Sequence, residues 1–237
     1  MQINVSEKKI KSKIKKGDRI VAAENIKYPY FESEDKSEKK LCEKMNGFYK
    51  TVAEKYSYYV RNKLEKRIKL SRVTCTLPVT AGMEYKIAMM KDDVVSVVLD
   101  LVYKSGKNIK QRRFSQMWSV KRADIVPVSE LVSINGKNRK KTLSLVSKIA
   151  GVNGENAAFG YFADYLLKLS KSFDIRNCFA VPGGLCFFVN AGIMSPAKFG
   201  SCNFVVPLES LGDVVKGEFL HKSAEKEDNK TNIVNNV

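Results

Sequence analysis

A long amphipathic segment between residues 37 and 69 places the strongest constraint on the fold. Large apolar and aromatic side chains recur there at intervals of mostly three or four residues, which is the stripe of one helix face. The stripe consists of Leu41, Met45, Phe48, Val52, Tyr56, Tyr59 and Leu64. Ser37 favours a helix start, and the basic run from Arg61 to Arg72 suits a carboxyl end. The sequence therefore predicts one helix over about 37–69 whose stripe lies in the core and is not a base-stacking platform.

Segments rich in β-forming residues follow this helix. They cover 73–79, 83–90, 94–104 and 109–120, with turn signals at Asp92-Asp93 and Ser105-Gly106. Between residues 94 and 104, apolar side chains fill alternate positions, and Ser96 and Asp100 fall on the other face. This pattern predicts a half-buried antiparallel strand, with one face on a core and one partly wet.

The pattern becomes mainly helical after Ala123. Helices are predicted at 127–132, 141–150, 154–173 and 208–216, a hairpin at 175–190 around Pro182-Gly183-Gly184, and a last strand at 203–207. In the helix predicted at 154–173, Phe159, Phe162, Tyr165, Leu166 and Leu169 would form the buried side. Because strands and helices come in blocks, we predict an α+β fold, an antiparallel β-sheet packed by one long and several short helices.

The domain prediction divides the chain into three parts. Residues 1–19 are a basic N-terminal arm with a few apolar anchors, and residues 20–221 form a single α+β domain. Residues 222–237 are polar and predicted to be a disordered tail. No internal repeat is present in the sequence.

The net charge points to anionic partners. The chain has 42 Lys and Arg against 25 Asp and Glu, a balance of +17 that attracts nucleic acid, cell-wall polyanions or acidic proteins. Most of these residues are Lys, which favours a solvated coat over a shaped site. The candidate polyanion-binding residues come from two basic clusters: Arg112, Arg113, Arg139, Lys140 and Lys141. On a strand, the basic residues of the first cluster split between two faces, which weakens it as a binding platform.

The sequence gives little support for a catalytic, cofactor-binding or metal site. His221 is the one histidine and lies at the edge of the predicted tail. The five cysteines (42, 75, 178, 186 and 202) have apolar neighbours and no CxxC spacing, so we expect buried thiols. A Cys178–Cys186 bridge across the predicted hairpin would instead indicate export. No signal peptide or membrane span is expected, and on that ground we predict a cytoplasmic location.

An ordered series of short motifs resembles the RsiV-like family, the domain of unknown function found in the extracytoplasmic part of anti-sigma factor RsiV and in peptidoglycan deacetylase PdaC. The series opens with Tyr28-Pro-Tyr-Phe31 and continues with Lys44-Met-Asn46-Gly-Phe48-Tyr49. It then includes residues 85–100 and 114–131, and ends with three motifs around Pro182-Gly183-Gly184, 195–200 and 204–207. The resemblance covers about 26–211.

The resemblance implies an antiparallel sheet packed by helices, no catalytic residues, and binding of a protein ligand, which is lysozyme for RsiV. Lysozyme is basic and a domain of charge +17 would repel it, so lysozyme sensing is not expected here. The family's tyrosine-rich loop is replaced by residues 190–196, and no functional residue transfers by motif. Our leading hypothesis is a non-enzymatic binding domain for a protein or a cell-wall polyanion. The alternatives are a cytoplasmic nucleic-acid-associated protein and an enzyme of unrecognised type, with the oligomeric state left open.

Overall fold

The computed structural model describes residues 2–70, 79–91, 93–156 and 159–216. Its strands are β1 Asn4–Lys16, β2 Arg19–Glu32, β3 Val79–Lys91, β4 Val94–Ser105, β5 Asn108–Ser119, β6 Asp124–Ile125, β7 Cys178–Val181, β8 Gly184–Val189 and β9 Cys202–Pro207. Its α-helices are α1 Lys36–Leu70, α2 Val128–Leu131, α3 Gly136–Gly154, α4 Tyr165–Ser172 and α5 Leu208–Leu211. Residues 73–78 of the strand predicted at 73–79, Cys75, Asp92, His221 and the polar tail 222–237 lie outside the described residues.

The strands form a six-stranded sheet of order β1-β2-β3-β4-β5-β6 and a three-stranded sheet of order β7-β8-β9. Strand β1 lies wholly within the residues predicted as a basic arm, and it pairs with β2 in antiparallel fashion. The prediction of an α+β fold with a mainly antiparallel sheet is confirmed. One pairing differs, because β2 and β3 run parallel with α1 between them in the chain.

The chain divides into two compact units. Unit 1 comprises Met1–Lys86 and Leu99–Phe114, and unit 2 comprises Ile87–Val98 and Ser115–Val237. The divisions fall inside β3, β4 and β5, so neither unit is a continuous stretch of chain. The bounds proposed from the sequence for a single domain stay a prediction.

In unit 1, helix α1 packs on β2, and its buried face differs from the predicted stripe. Leu41 and Met45 are buried as predicted, but the face continues through Tyr49, Ala53 and Val60. The buried face includes the small residues Ala53 and Ser57, whereas the predicted stripe contains only larger apolar and aromatic side chains. The predicted core positions Phe48, Val52 and Tyr56 are only half-buried, Tyr59 is 58% exposed, and the side chain of Leu64 lies outside the described residues.

Two polar contacts hold α1 against β2. The Asn46 side chain accepts a hydrogen bond from the Phe31 amide and donates one to the Phe31 carbonyl, both at 2.8 Å. Asn46 thus mimics a strand partner for the end of β2 and joins two of the short motifs found in the sequence. Further along α1, the buried Glu24 carboxylate accepts hydrogen bonds from Ser12 Oγ at 2.7 Å and Arg61 Nε at 2.7 Å. Ser57 Oγ donates to the same carboxylate at 3.0 Å.

In unit 2, the β7-β8-β9 sheet carries apolar side chains on both faces. The β7–β8 turn is Pro182-Gly183, with Gly183 at φ 71°, which only glycine adopts readily at this turn position. One face joins a core that includes Val146, Leu169 and Phe204. The predicted hairpin is present, with its strands at 178–181 and 184–189.

The hairpin register separates two cysteines. Cys178 lies opposite Phe187, and Cys186 lies opposite Phe179. Residues directly opposite each other share a face, so Cys178 and Cys186 point to opposite faces of the sheet. The possible Cys178–Cys186 bridge is therefore wrong, and the described cysteines 42, 178, 186 and 202 are thiols.

Two further predictions need correction. The helix predicted over 154–173 is confined to Tyr165–Ser172, since Gly160 lies at φ 55°, outside the helical region. Strand β4 is not half-buried throughout, because every residue of its first half, including Ser96, is buried. In its second half, Asp100 is paired with Arg113. The turn predicted at Ser105-Gly106 lies one residue further along, at Gly106-Lys107.

Candidate ligand-binding surfaces

The predicted polyanion-binding residues of β5 face opposite ways in unit 1. Arg113 donates from Nε to Asp100 Oδ1 at 2.9 Å and from Nη2 to Asp100 Oδ2 at 2.6 Å. This bidentate pair is largely buried and occupies the guanidinium. Arg112 is exposed and lies over the Phe114 ring, 5.4 Å from its centroid. Of these two, Arg112 alone presents its charge to solvent.

The predicted basic residues of α3, in unit 2, are also used mostly inside the fold. Arg139 donates from Nη2 to the Phe173 carbonyl at 3.1 Å and to the Ser170 carbonyl at 3.3 Å, at the carboxyl end of α4. Lys141 donates from Nζ to the Leu211 carbonyl and to Asp213 Oδ1, both at 2.8 Å. Lys140 is exposed. Three of the five predicted residues therefore have structural partners, and only Arg112 and Lys140 are open to a ligand.

Unit 2 also carries a cluster of aromatic side chains that we call the aromatic patch: the exposed Phe159 and Phe199 and the half-buried Tyr161 and Tyr165. The Phe159 and Tyr161 rings lie 5.6 Å apart between centroids, and Tyr161 and Tyr165 lie 5.0 Å apart. Phe159 is 40% exposed and Phe199 is 50% exposed. Leu166 and Leu167 of α4, which follow Tyr165 in the chain, are also exposed.

Gly160 allows the Phe199 ring to join this patch. A Cβ atom at position 160 would lie 2.8 Å from Phe199 Cε2, and the backbone there has φ 55°. Both the close approach and the left-handed conformation favour glycine. The backbone at Gly160 thus leaves room for the Phe199 ring, and its left-handed conformation interrupts the helix predicted from the sequence.

The aromatic side chains of the patch are uncharged at neutral pH. A tyrosine phenol ordinarily ionises near pH 10, and burial raises the pKa of Tyr161 further, to about 12. Lys198 lies over the Phe199 ring at 4.9 Å, and Lys168 lies over the nearby Phe162 ring at 4.0 Å. Lys168 is also paired with Asp164 at 2.9 Å, so the positive charge beside the patch is that of Lys198.

The buried cysteines do not have the properties of nucleophiles. Burial raises the pKa of the Cys178 thiol to about 12 and also raises the pKa of Cys42. A reactive cysteine needs the thiolate form at neutral pH, which both environments disfavour. Among the described residues, no group of three or more His, Cys, Asp or Glu side chains is placed to hold a metal ion. Within the described parts of the chain, no helix has the length and apolar character needed to cross a membrane.

Comparison with known proteins identifies the fold. A solved DUF3298 family protein from Bacteroides fragilis is 9% identical, with a TM-score of 0.64, and the match covers 94% of this chain and 98% of that one. A DUF3298 family protein from Pseudomonas aeruginosa is 12% identical, with a TM-score of 0.57 and coverage of 90% and 95%. No family model and no curated protein matches the sequence. The chain thus shares the fold of solved domains of unknown function.

The sequence did not point to the aromatic patch as a surface. Its aromatic residues have helical spacing, so we assigned Phe159 and Leu166 to the buried side of a helix that is shorter in the structure. Gly160 was the available signal, because a glycine inside a helical pattern lowers the prospect of a continuous helix.

Proposed function

We propose that this chain is a non-enzymatic domain that binds a protein ligand, as RsiV-like sensing domains do. The observation that carries the proposal is the aromatic patch, with Phe159 and Phe199 exposed at 40% and 50%. Contiguous apolar surface of this kind marks interaction sites, and aromatic side chains are enriched in protein interfaces. The similarity of the short motifs to the RsiV-like family supports the same assignment.

The ligand we expect has an apolar contact area with acidic residues at its border. Lys198 lies on the exposed Phe199 ring, and the whole chain carries +17. Charges at the border of an interface steer encounter and exclude like-charged partners. A basic ligand such as lysozyme does not fit this surface.

Photocrosslinking at single positions tests this proposal in the native cells. A benzoylphenylalanine placed at Phe199 or Leu167 should capture one protein that the same probe at Tyr58 does not capture. Tyr58 is a matched control because it is 71% exposed and lies on α1 in unit 1. The captured protein, purified, should bind wild type, and the Phe199→Ser/Leu167→Ser variant should bind it at least tenfold more weakly.

Two results would contradict the proposal. Capture of the same proteins at Tyr58 and at Phe199 would show that the patch has no specific ligand. Equal affinity of the purified ligand for wild type and for the double variant, with both proteins melting alike, would move the binding site elsewhere.

A further inference from the structure

Between Lys9 and Lys15, strand β1 carries a lysine at every second residue, on one face of the sheet. Lys11, Lys13 and Lys15, which we call the lysine ladder, are exposed, whereas Ser12 and Ile14 between them are half-buried. The alternation continues past the register shift after Ile14, because the extra residue there belongs to β2. Three ammonium groups therefore stand in a row on the face of the sheet opposite α1.

The ladder borders a groove on the outer face of unit 1. Opposite Lys11 and Lys13 on β2 lie Asn25 and Ala23, whose side chains are short. The groove has a volume of about 560 Å³ and runs over the backbone between the lysines and β3. Its lining residues are Lys11, Ser12, Lys13, Ala23, Glu24, Asn25 and Ala81. Because the side chains opposite the lysines are short, the groove beside the ladder has room for an extended chain.

The ladder lysines have no ion-pair partner among the described residues. Lys9, before the ladder, pairs with Glu7 at 2.7 Å, and Lys27 pairs with Glu84 at 3.0 Å. Lys11, Lys13 and Lys15 form no ion pair with any residue that the structure describes. Glu24, whose backbone lies under the groove, turns its carboxylate to the opposite face, where Arg61 and Ser57 bind it. Glu7 attracts Lys11 electrostatically but is itself paired with Lys9, so the three ladder lysines carry their charge at the groove without an ion-pair partner among the described residues.

We propose that this groove binds a linear phosphate polymer, held by the lysine ladder through its phosphates alone. Successive ladder lysines are about 6.8 Å apart along the strand, a spacing that neighbouring phosphates of an extended phosphodiester chain can match. The β2 partners of Lys11, Lys13 and Lys15 are Asn25, Ala23 and Ile20, so no aromatic ring lies opposite the ladder to stack on a base. The ladder recognises the charge and the spacing of the phosphates and does not read the bases.

This site is separate from the proposed protein-binding function, because its residues belong to unit 1 and the aromatic patch belongs to unit 2. Failure of one proposal leaves the other intact. The polymer could be a nucleic acid or a cell-wall phosphodiester, which share the chemistry that the ladder recognises.

Salt-dependent binding to two phosphate probes tests the proposal. Fluorescence anisotropy would follow a labelled oligothymidylate, with inorganic polyphosphate as competitor. Three contacts should give a salt slope of about −2, since each phosphate contact to a single strand contributes about −0.7. The variant Lys11→Gln/Lys13→Gln/Lys15→Gln should remove most of that slope and lower the affinity at least tenfold at about 50 mM salt.

A variant with the same loss of charge provides the control. Lys39, Lys40 and Lys55 are exposed on α1, so their triple change to Gln removes three charges elsewhere in unit 1. This control should bind within about twofold of wild type, and circular dichroism should show the same melting for all three proteins. Equal losses of affinity in both triple variants would show that only the total charge of the protein matters, and would overturn the proposal.

Two competitor arms decide the chemistry. Polyglutamate, which carries carboxylates on a different repeat, should compete at least tenfold less well than polyphosphate at equal charge. Equal competition by polyglutamate, or a strong preference between oligothymidylate and oligoadenylate, would contradict recognition through phosphates alone. Comparison of teichoic acid with oligothymidylate as competitors distinguishes a cell-wall source from a nucleic-acid source.

Discussion

The basic side chains of this protein differ in whether the fold provides them with a hydrogen-bond or ion-pair acceptor. Arg113, Arg139 and Lys141 donate to carboxylates or carbonyls of the fold, whereas Lys11 and Lys13 have no ion-pair partner among the described residues. An arginine with fixed acceptors stabilises the folded chain and has little left for a ligand. Clustering in the sequence therefore does not reveal which basic residues can bind.

The Glu24–Arg61 pair is expected to stabilise unit 1. The Glu24 side chain is 2% exposed, so its charge depends on Arg61 and the two serines. Arg61→Ala should lower the free energy of unfolding by about 3 kcal/mol, because the buried carboxylate loses its counter-charge. Lys55→Ala, a loss of the same charge from an exposed position of α1, should cost less than about 0.5 kcal/mol in the same urea titration. Equal costs would show that the pair contributes nothing.

Tyr56 should make stability depend on alkaline pH. Burial raises the pKa of its phenol to about 12, and its hydroxyl donates to the Val102 carbonyl at 3.1 Å. In the unfolded chain the phenol ionises near pH 10, so the unfolded state loses the proton first and stability falls as pH rises from about 10 to 12. At pH 8, Tyr56→Phe should be less stable than wild type by about 1 kcal/mol.

At about pH 11 that difference should shrink by about 1 kcal/mol, because only wild type gains stabilisation of the unfolded state from this phenol. Urea unfolding at both pH values measures the change. Tyr58→Phe is the control, since Tyr58 is 71% exposed. A difference between Tyr56→Phe and wild type that stays constant with pH would contradict the raised pKa.

At the scale of elements, the sequence pattern predicts the presence of a helix better than it predicts which of its residues are buried. The helix predicted at 37–69 is observed as Lys36–Leu70, because a long apolar period and charged ends agree. Its buried face was missed past Met45, since Ala53 and Ser57 occupy core positions without being large or apolar enough to mark them. Strand β1 was missed although Lys and Ile alternate along it, because high charge suggested an arm.

The corrected helix face gives a direct test. Tyr49 is fully buried and its ring lies 5.9 Å from Phe31, whereas Tyr59 on the same helix is 58% exposed. Tyr49→Ala should cost about 3–5 kcal/mol, the range for deleting a buried aromatic ring. Tyr59→Ala should cost about 1 kcal/mol or less. Thermal melts in which Tyr59→Ala is more destabilising than Tyr49→Ala would instead support the buried stripe predicted from the sequence.

At the scale of the whole molecule, net charge is a poor guide to where a ligand binds. The charge of +17 led to five candidate residues, yet Arg113 and Arg139 are engaged within their own units. The aromatic patch depends on Gly160 and on Phe199, which lie far apart in the sequence. Such a surface forms only when the chain is folded, so the sequence could indicate through Gly160 that the helix is interrupted, but not that Phe199 lies beside it.

Neutralising all five candidates therefore has two expected effects. Arg112→Gln, Arg113→Gln, Arg139→Gln, Lys140→Gln and Lys141→Gln together should lower the melting temperature, since three of these side chains bond within the fold. Binding to random-sequence DNA and RNA in a salt titration should fall only partly, because the lysine ladder remains. Complete loss of binding with an unchanged melting temperature would favour the five residues as the polyanion site.

The parallel pairing of β2 with β3 has a consequence for how the chain folds. Strands β1 and β2 are joined by a two-residue turn, so their hairpin closes a short loop. Ala22 and Val79 are partners although they lie 57 positions apart, with α1 between them. Closing so long a loop costs entropy before the contact is gained, so this step should be slow relative to the hairpin. A ligand that binds the β1–β2 hairpin during synthesis could then engage the chain before β3 has left the ribosome.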